Sequence, residues 1–267
     1  MGHTQHLTIT HPEYVDAIID IIAKDVPRYY GFIYASPYKA LQSFGPDSCQ
    51  AVEVLNEIIM ERRADCNFAI ATLGYLGECS ESSTTILKDL LANSDERMDF
   101  EIMKATILTA GQIGEPLVKL VPELGQIICN MEDSEEISNG DWSLGIYAID
   151  SLAAFQSHPS YVRCILENII QRENKNPQLI HASLTLYKLG INKYENKMRI
   201  FDALYDENED LTFHALWACK ELGPIASDML PRIQELITQY SYVNERYRWE
   251  GILESIRRDR CGSRFFG

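Results

Sequence analysis

Apolar residues in this chain fall at fixed offsets from six turn positions, Gly45, Gly77, Gly114, Gln156, Gly190 and Gly223. Immediately before each turn stands Phe44, Leu76, Ile113, Phe155, Leu189 or Leu222, and five before it a small residue, Ala40, Thr72, Thr109, Ser151, Thr185 or Ala218. Eight before it are Ala69, Ala148, Ala182 and Ala215, with Pro37 and Thr106 in the other two copies. Ten after the turn come Leu55, Leu87, Leu124, Leu166, Ile200 and Ile233, and fourteen after it Ile59, Leu91, Ile128, Ile170, Leu204 and Ile237. Offsets of three and four place side chains on one face of an α-helix. The pattern therefore predicts one helix before each turn and a second after it, with the small residues letting neighbouring helices approach closely.

The clearest copy runs from Asn208 to Tyr240, with Glu209-Asp210 where a helix N-terminus favours negative charge and Gly223-Pro224 between the two helices. Successive turns are separated by 32 to 42 residues, whereas tetratricopeptide repeats keep about 34. Outside the repeats, Val15, Ile18, Ile19 and Ile22 predict a capping helix from Pro12 onward, and Trp249, Ile252, Leu253 and Ile256 predict a second at about 244–258. Tyr29, Tyr30, Phe32, Tyr34 and Tyr38 read either as a contact surface or as a seal over an open end. The link Cys129 to Trp142 is longer than the others and acidic, and is either a solvated loop or part of a binding edge.

Ala71-Thr72-Leu73-Gly74, Thr109-Ala110-Gly111-Gln112-Ile113-Gly114 and Lys220-Glu221-Leu222-Gly223-Pro224 resemble the first-helix endings of short HEAT repeats. The resemblance covers about 34–240; it lacks the arginine such repeats commonly carry, with Cys66, Met103, Gly145, Leu179 and Thr212 in its place. It implies an all-α fold, a right-handed α-solenoid of about six HEAT-like helical hairpins with capping helices at both ends. The expected domain spans 13–256, with repeats at about 34–60, 64–92, 101–130, 143–172, 177–206 and 210–240, a loose segment at 1–12 and a loose tail at 259–267.

Charge narrows the functional classes. The chain of 267 residues carries a formal charge of −15, which disfavours nucleic-acid phosphates and favours a basic protein partner. From Asn244 onward six arginines face four acidic residues, so the tail is +2 and the rest −17. That tail is expected to fold back on the acidic body, to contact a partner, or to be a disordered end. No apolar run approaches membrane-spanning length, and the N-terminus lacks a basic segment followed by an apolar one, so neither a membrane span nor a secretory signal is expected. Seven cysteines, an odd number without a C-x-x-C pair, suggest reduced thiols in the cytoplasm.

Twelve and sixteen after the turns lie Glu57, Asp89, Asp202 and Glu235, then Glu61 and Asp206, among Gln126, Asn168, Asn93, Asn130, Gln239 and the single cation Arg172. The resemblance implies that second helices line a concave wall. Glu57, Glu61, Asp89, Asp202, Asp206, Glu235 and Trp142 are the expected partner contacts; the alternative is that these are solvated faces of amphipathic helices. His181 and His214 share one offset in consecutive copies. An interaxial distance of roughly 8–10 Å sets them too far apart to hold one metal without extended side chains, so structural or surface histidines are expected. Gly74-Tyr75-Leu76-Gly77 and Gly111 to Gly114 sit at helix ends and follow no strand, so they are not phosphate loops, and Ser82-Ser83-Thr84 reads as a helix start. Glu135-Glu136 lacks an apolar pocket. No catalytic residue, cofactor or metal is expected. The reading is a non-enzymatic binding module, sharpened to an immunity-type inhibitor of a basic toxin; the alternative is a HEAT-like lyase with a pocket on the concave face.

Overall fold

The computed structural model describes residues 12–24, 35–92, 100–130, 144–172, 176–239 and 246–257. The expectations for the loose segment before Pro12, for Tyr29, Tyr30, Phe32 and Tyr34, for most of the acidic link including Glu135, Glu136 and Trp142, and for the tail beyond Arg257 lie outside these residues. Among the described residues the fold is all-α, without strands. In chain order the helices are α1 (Pro12–Ala23), α2 (Ala35–Phe44), α3 (Val52–Met60), α4 (Cys66–Leu76), α5 (Thr84–Ala92), α6 (Phe100–Ile113) and α7 (Val121–Asn130). Then come α8 (Leu144–Ser151), α9 (Pro159–Gln171), α10 (Pro177–Lys188), α11 (Lys193–Ala203), α12 (Glu209–Leu222), α13 (Leu230–Gln239) and α14 (Arg246–Arg257).

The glycines that recur in the sequence are points where the backbone leaves the right-handed region. Gly45, Gly77, Gly114, Gly190 and Gly223 have φ of 55°, 64°, 71°, 82° and 56°, a conformation that costs little without a Cβ. After four of them the chain enters a short 3₁₀ segment before the next α-helix: Gly45–Ala51, Gly77–Ser83, Glu115–Leu120 and Gly223–Met229. Proline stands at the start of three of these, where its missing N–H would be unpaired anyway. In the first two copies a buried serine closes the turn: Ser48 Oγ donates to Leu41 O at 3.1 Å, and Ser80 Oγ to Leu73 O at 2.8 Å. The fourth turn differs. Gln156 has no left-handed backbone, and the reversal is made by the 3₁₀ turn Leu152–Ala154 and Phe155, at φ −102° and ψ 68°. There the Glu115 carboxylate accepts the backbone N–H of Ser157 at 2.5 Å and also the Ser157 hydroxyl, so the loop is held from the neighbouring turn.

The chain packs as two compact units, Met1–His158 and Pro159–Gly267. In the first, α2, α4, α6 and α8 form one row of neighbours; α3, α5 and α7 form a second. Each second-row helix packs against the next first-row helix, α3 on α4, α5 on α6 and α7 on α8. Leu55, Leu73, Leu87, Ile107 and Leu124 are wholly buried between the rows, each contributing roughly 1.5–3 kcal/mol of transfer free energy. The N-terminal helix α1 buries Val15 and Ile22 and half-buries Ile18 and Ile19, the apolar stripe read from the sequence. Arg63 fastens it: Nη2 donates to Ile22 O at 3.0 Å and to Asp65 Oδ2 at 3.1 Å, while Tyr38 Oη donates to the same carboxylate oxygen at 2.7 Å. Tyr38, 2 % exposed, is thus a core residue whose hydroxyl is occupied, and burial together with the Asp65 carboxylate pushes its pKa far up.

In the second unit α10 packs against α9, α11 and α12, and α14 covers α12 and α13. The shared core runs from Ile180 and Leu184 through Phe201, Leu216 and Ile233 to Ile252 and Ile256. Asn208 caps α12, its side chain accepting from the backbone N–H groups of Asp210 and Leu211, and Asn176 caps α10 through Leu179 N.

The small residues five before each turn do more than make room. Thr109 Oγ1 on α6 donates to Ile70 O on α4 at 2.9 Å, and Ser151 Oγ on α8 donates to Ile107 O on α6 at 3.0 Å. Both carbonyls lie seven positions before their own turn. Thr72 Oγ1 accepts from Gln42 Nε2 at 3.1 Å, joining α2 to α4. Gly111 permits a close approach of α6 to α8: a Cβ there would stand 2.9 Å from Ser151 Cα.

Candidate partner-binding face

Glu53, Glu57 and Glu61 recur every fourth residue along α3 and its C-terminal cap, all exposed. Like charges one turn apart cost a helix roughly 0.2–0.5 kcal/mol per pair. Carboxylates at a helix C-terminus also oppose the negative end of its dipole, and the last turn of α3 carries no basic residue. Beyond it, Arg62 is exposed with a left-handed φ of 49°, whereas Arg63 is turned inward onto Asp65. Helix α5, packed beside α3, adds exposed Asp89, and α7 adds exposed Gln126 and Asn130. Lys88 on α5 is engaged by Glu123 on α7 at 3.1 Å. Glu53 did not stand out at the offsets used for the sequence; the every-fourth-residue run of glutamates is the signal that finds it.

Of the other expected contacts, Trp142 lies outside the described residues and the rest lie in the second unit. Asp202 is exposed in the last turn of α11; Asp206 is half-buried and accepts the Asn208 N–H at 3.0 Å. Glu235 on α13 is exposed but paired with Arg232 at 3.2 Å. That arginine also donates through Nε to Leu204 O at 3.0 Å and stands 4.9 Å over the Tyr205 ring. Its positive charge sits among these acids, so this group is less uniformly acidic than the α3 row. Elsewhere Lys104 stands over Tyr147, Lys193 over Tyr187 and Lys197 over Phe201, at 5.2, 5.5 and 5.5 Å. Exposed aromatic and aliphatic side chains are present as well, among them Met60 beside the acidic row and Tyr194 and Tyr205 in the second unit.

The histidine pair corrects the separation expected from helix spacing. His181 Nε2 and His214 Nδ1 lie 2.9 Å apart, both rings are buried, and His181 stacks on Trp217 with centroids 4.5 Å apart. Interaxial distance measures backbone to backbone, and both side chains reach into the gap between α10 and α12. Burial, reinforced by the neighbouring His181, lowers the pKa of His214 to about 3. Among the described residues no cluster of three or more histidine, cysteine or carboxylate side chains is arranged to hold a metal ion.

Cysteine usage also departs from the expectation of seven thiols. Cys49 and Cys79 are joined by a disulfide between the first two 3₁₀ segments. Their offsets from the turn differ, four against two, so only the stacking of consecutive copies reveals the pair. Cys66, Cys129, Cys164 and Cys219 are unpaired. Among the described residues no helix is long and apolar enough to cross a membrane.

No protein-family model matches the sequence, and no curated protein matches it. Among solved structures, the crystal structure of an engineered protein from a structural genomics consortium aligns over 91% of this chain and 70% of its own, with a TM-score of 0.42 and 12% sequence identity.

Proposed function

We propose that this chain is a non-catalytic protein-binding module, a HEAT-like right-handed α-solenoid of about six hairpins whose acidic second-row helices receive a basic partner protein. The observation that carries the reading is the Glu53, Glu57 and Glu61 row on α3. A purely solvated helix face gains from alternating glutamate with lysine; this one places three like charges in line, the last of them, Glu61, at the negative end of the helix dipole, and so gives up stability. A cationic ligand would recover it. Asp89 adds to this charge in the first unit, Asp202, Asp206 and Glu235 supply acid in the second, and the overall −15 would steer a basic protein toward the chain. Within this class, an inhibitor that covers the active site of a basic toxin or nuclease makes fullest use of a broad charged face. The unpaired Cys66, Cys129, Cys164 and Cys219 fit a cytoplasmic setting.

The test is affinity purification at low and high salt with the wild-type chain and a Glu53→Lys/Glu57→Lys/Glu61→Lys variant, followed by titration of the recovered partner. The reading requires a basic protein whose affinity falls at least tenfold in the variant and whose salt dependence becomes shallower. Affinity and salt slope unchanged by the three reversals would overturn it.

A further inference from the structure

The disulfide between Cys49 and Cys79 joins two turns that do not need it to form. Each 3₁₀ segment starts from a glycine with positive φ and is closed by its own buried serine, Ser48 on Leu41 O and Ser80 on Leu73 O. The two segments pack on each other and hold the cysteine Cα atoms 5.6 Å apart, the middle of the range a disulfide spans. Both cysteines are half-buried, within reach of a small thiol. The other thiols are sorted differently. Cys66 and Cys219 are buried, and desolvation pushes their pKa values up to about 11 and about 12, so they remain protonated and unreactive. Cys129 and Cys164 are exposed and unpaired.

We propose that Cys49 and Cys79 form a reversible thiol–disulfide clasp between the first two helix pairs, set by exchange with a small-molecule disulfide of the glutathione class. In closing, the thiolate of one cysteine attacks the small disulfide, forming a mixed disulfide and releasing one small thiolate. The second cysteine, deprotonated, attacks the protein sulfur of that mixed disulfide, forming the Cys49–Cys79 bond and releasing a second small thiolate. Two protein thiols are oxidised, one small disulfide is reduced to two thiols, and the two protons pass to the departing sulfurs. The packing favours the second step, because a neighbouring thiol on an already formed turn has a high effective concentration. Opening reverses both steps and leaves each turn held by its serine. The closed clasp ties the segment leading into α3 to the segment leading into α5, and thereby restrains the helices bearing Glu57, Glu61 and Asp89; the inference itself does not depend on what binds there.

The test equilibrates the full chain in buffers spanning reduced to oxidised glutathione, quenches with an alkylating agent and maps the peptides. Cys49 and Cys79 are expected to pass together, and reversibly, from doubly alkylated to linked, while Cys129 and Cys164 acquire at most a mixed disulfide. The linked form is expected to melt roughly 5 °C or more above the open form, a difference absent from Cys49→Ser and Cys79→Ser variants. A bond that persists in fully reduced glutathione and opens only after denaturation would make the pair a fixed cross-link and overturn the proposal. So would two alkylated cysteines in the most oxidising buffer, or a mixed disulfide on one of them that the other never resolves.

Discussion

His181 and His214, 33 residues apart on neighbouring helices, share a single hydrogen bond of 2.9 Å between Nε2 of one ring and Nδ1 of the other. One ring must donate and the other accept, so the contact is lost if both rings are doubly protonated. The folded protein resists protonating His214 until about pH 3, whereas the unfolded chain takes up that proton near pH 6.5. Between those values the unfolded state binds more protons, so stability falls as pH is lowered. The expected slope from this site is ~1.4 kcal/mol per pH unit. Denaturant titrations from pH 7 to pH 4 on the wild type and His214→Gln would check it: the variant should show a shallower acid loss, and parallel curves would refute the coupling.

Glycine substitutions should separate by position. Gly111→Ala would place a Cβ 2.7 Å from Ser151 Oγ and 2.9 Å from Ser151 Cα. Because backbone is involved, α6 and α8 must move apart, at a cost of about 1–3 kcal/mol. Gly251 on α14 has open space where its Cβ would lie. Gly251→Ala should therefore stabilise by about 0.5–1 kcal/mol through helix propensity. Melting temperatures of the two variants should move in opposite directions.

Glu115 should be legible by exchange and titration. The Ser157 hydroxyl and backbone N–H donate to its carboxylate and hold its pKa below the ordinary value of 4.5. The contribution to stability is thus present above that value and is lost as pH falls through the depressed one. Glu115→Ala should speed hydrogen exchange at the Ser157 amide about tenfold, corresponding to one lost charge-assisted hydrogen bond. An unchanged rate would mean that the fourth turn is held by its own backbone alone.

Arg63 ties the loop between α3 and α4 to α1 through one side chain, and its loss should be felt at α1. Removing it as Arg63→Met leaves the Asp65 carboxylate, whose residue is 6 % exposed, without its cation and Ile22 O without its donor. The pair is partly solvated, so the expected cost is about 2 kcal/mol, below that of a fully buried pair. Hydrogen exchange should show α1 opening before the rest of its unit; uniform loss across α1 to α8 would contradict this.

Much of the helical order could be read in advance because the repeat is written in backbone-determining residues. Gly45, Gly77, Gly114, Gly190 and Gly223 served as counting origins in the sequence and each proves to be a positive-φ turn. The apolar offsets likewise predicted the buried faces of Leu55, Leu87 and Leu124. What escaped were relations between consecutive helix pairs rather than along the chain. Thr109 and Ser151 read as small; that their hydroxyls reach carbonyls on the preceding helix depends on helix stagger, which no spacing reveals. Cys49 and Cys79 pair because two turns stack, and a rule that looks for cysteines three apart is blind to that. The acids were found at their offsets, but the cations set among them, Lys88 and Arg232, lie on helix faces the counting did not sample.

The hydroxyl bonds from Thr109 to Ile70 O and from Ser151 to Ile107 O end on main-chain oxygen. Every amino acid offers that acceptor, so a donor-bearing helix can dock beside a neighbour whatever side chains the neighbour displays. Fit between successive segments is therefore written mostly on one side of each joint. Such a chain can gain, lose or exchange internal segments, or vary the outward residues of any one of them, while the register of the stack survives.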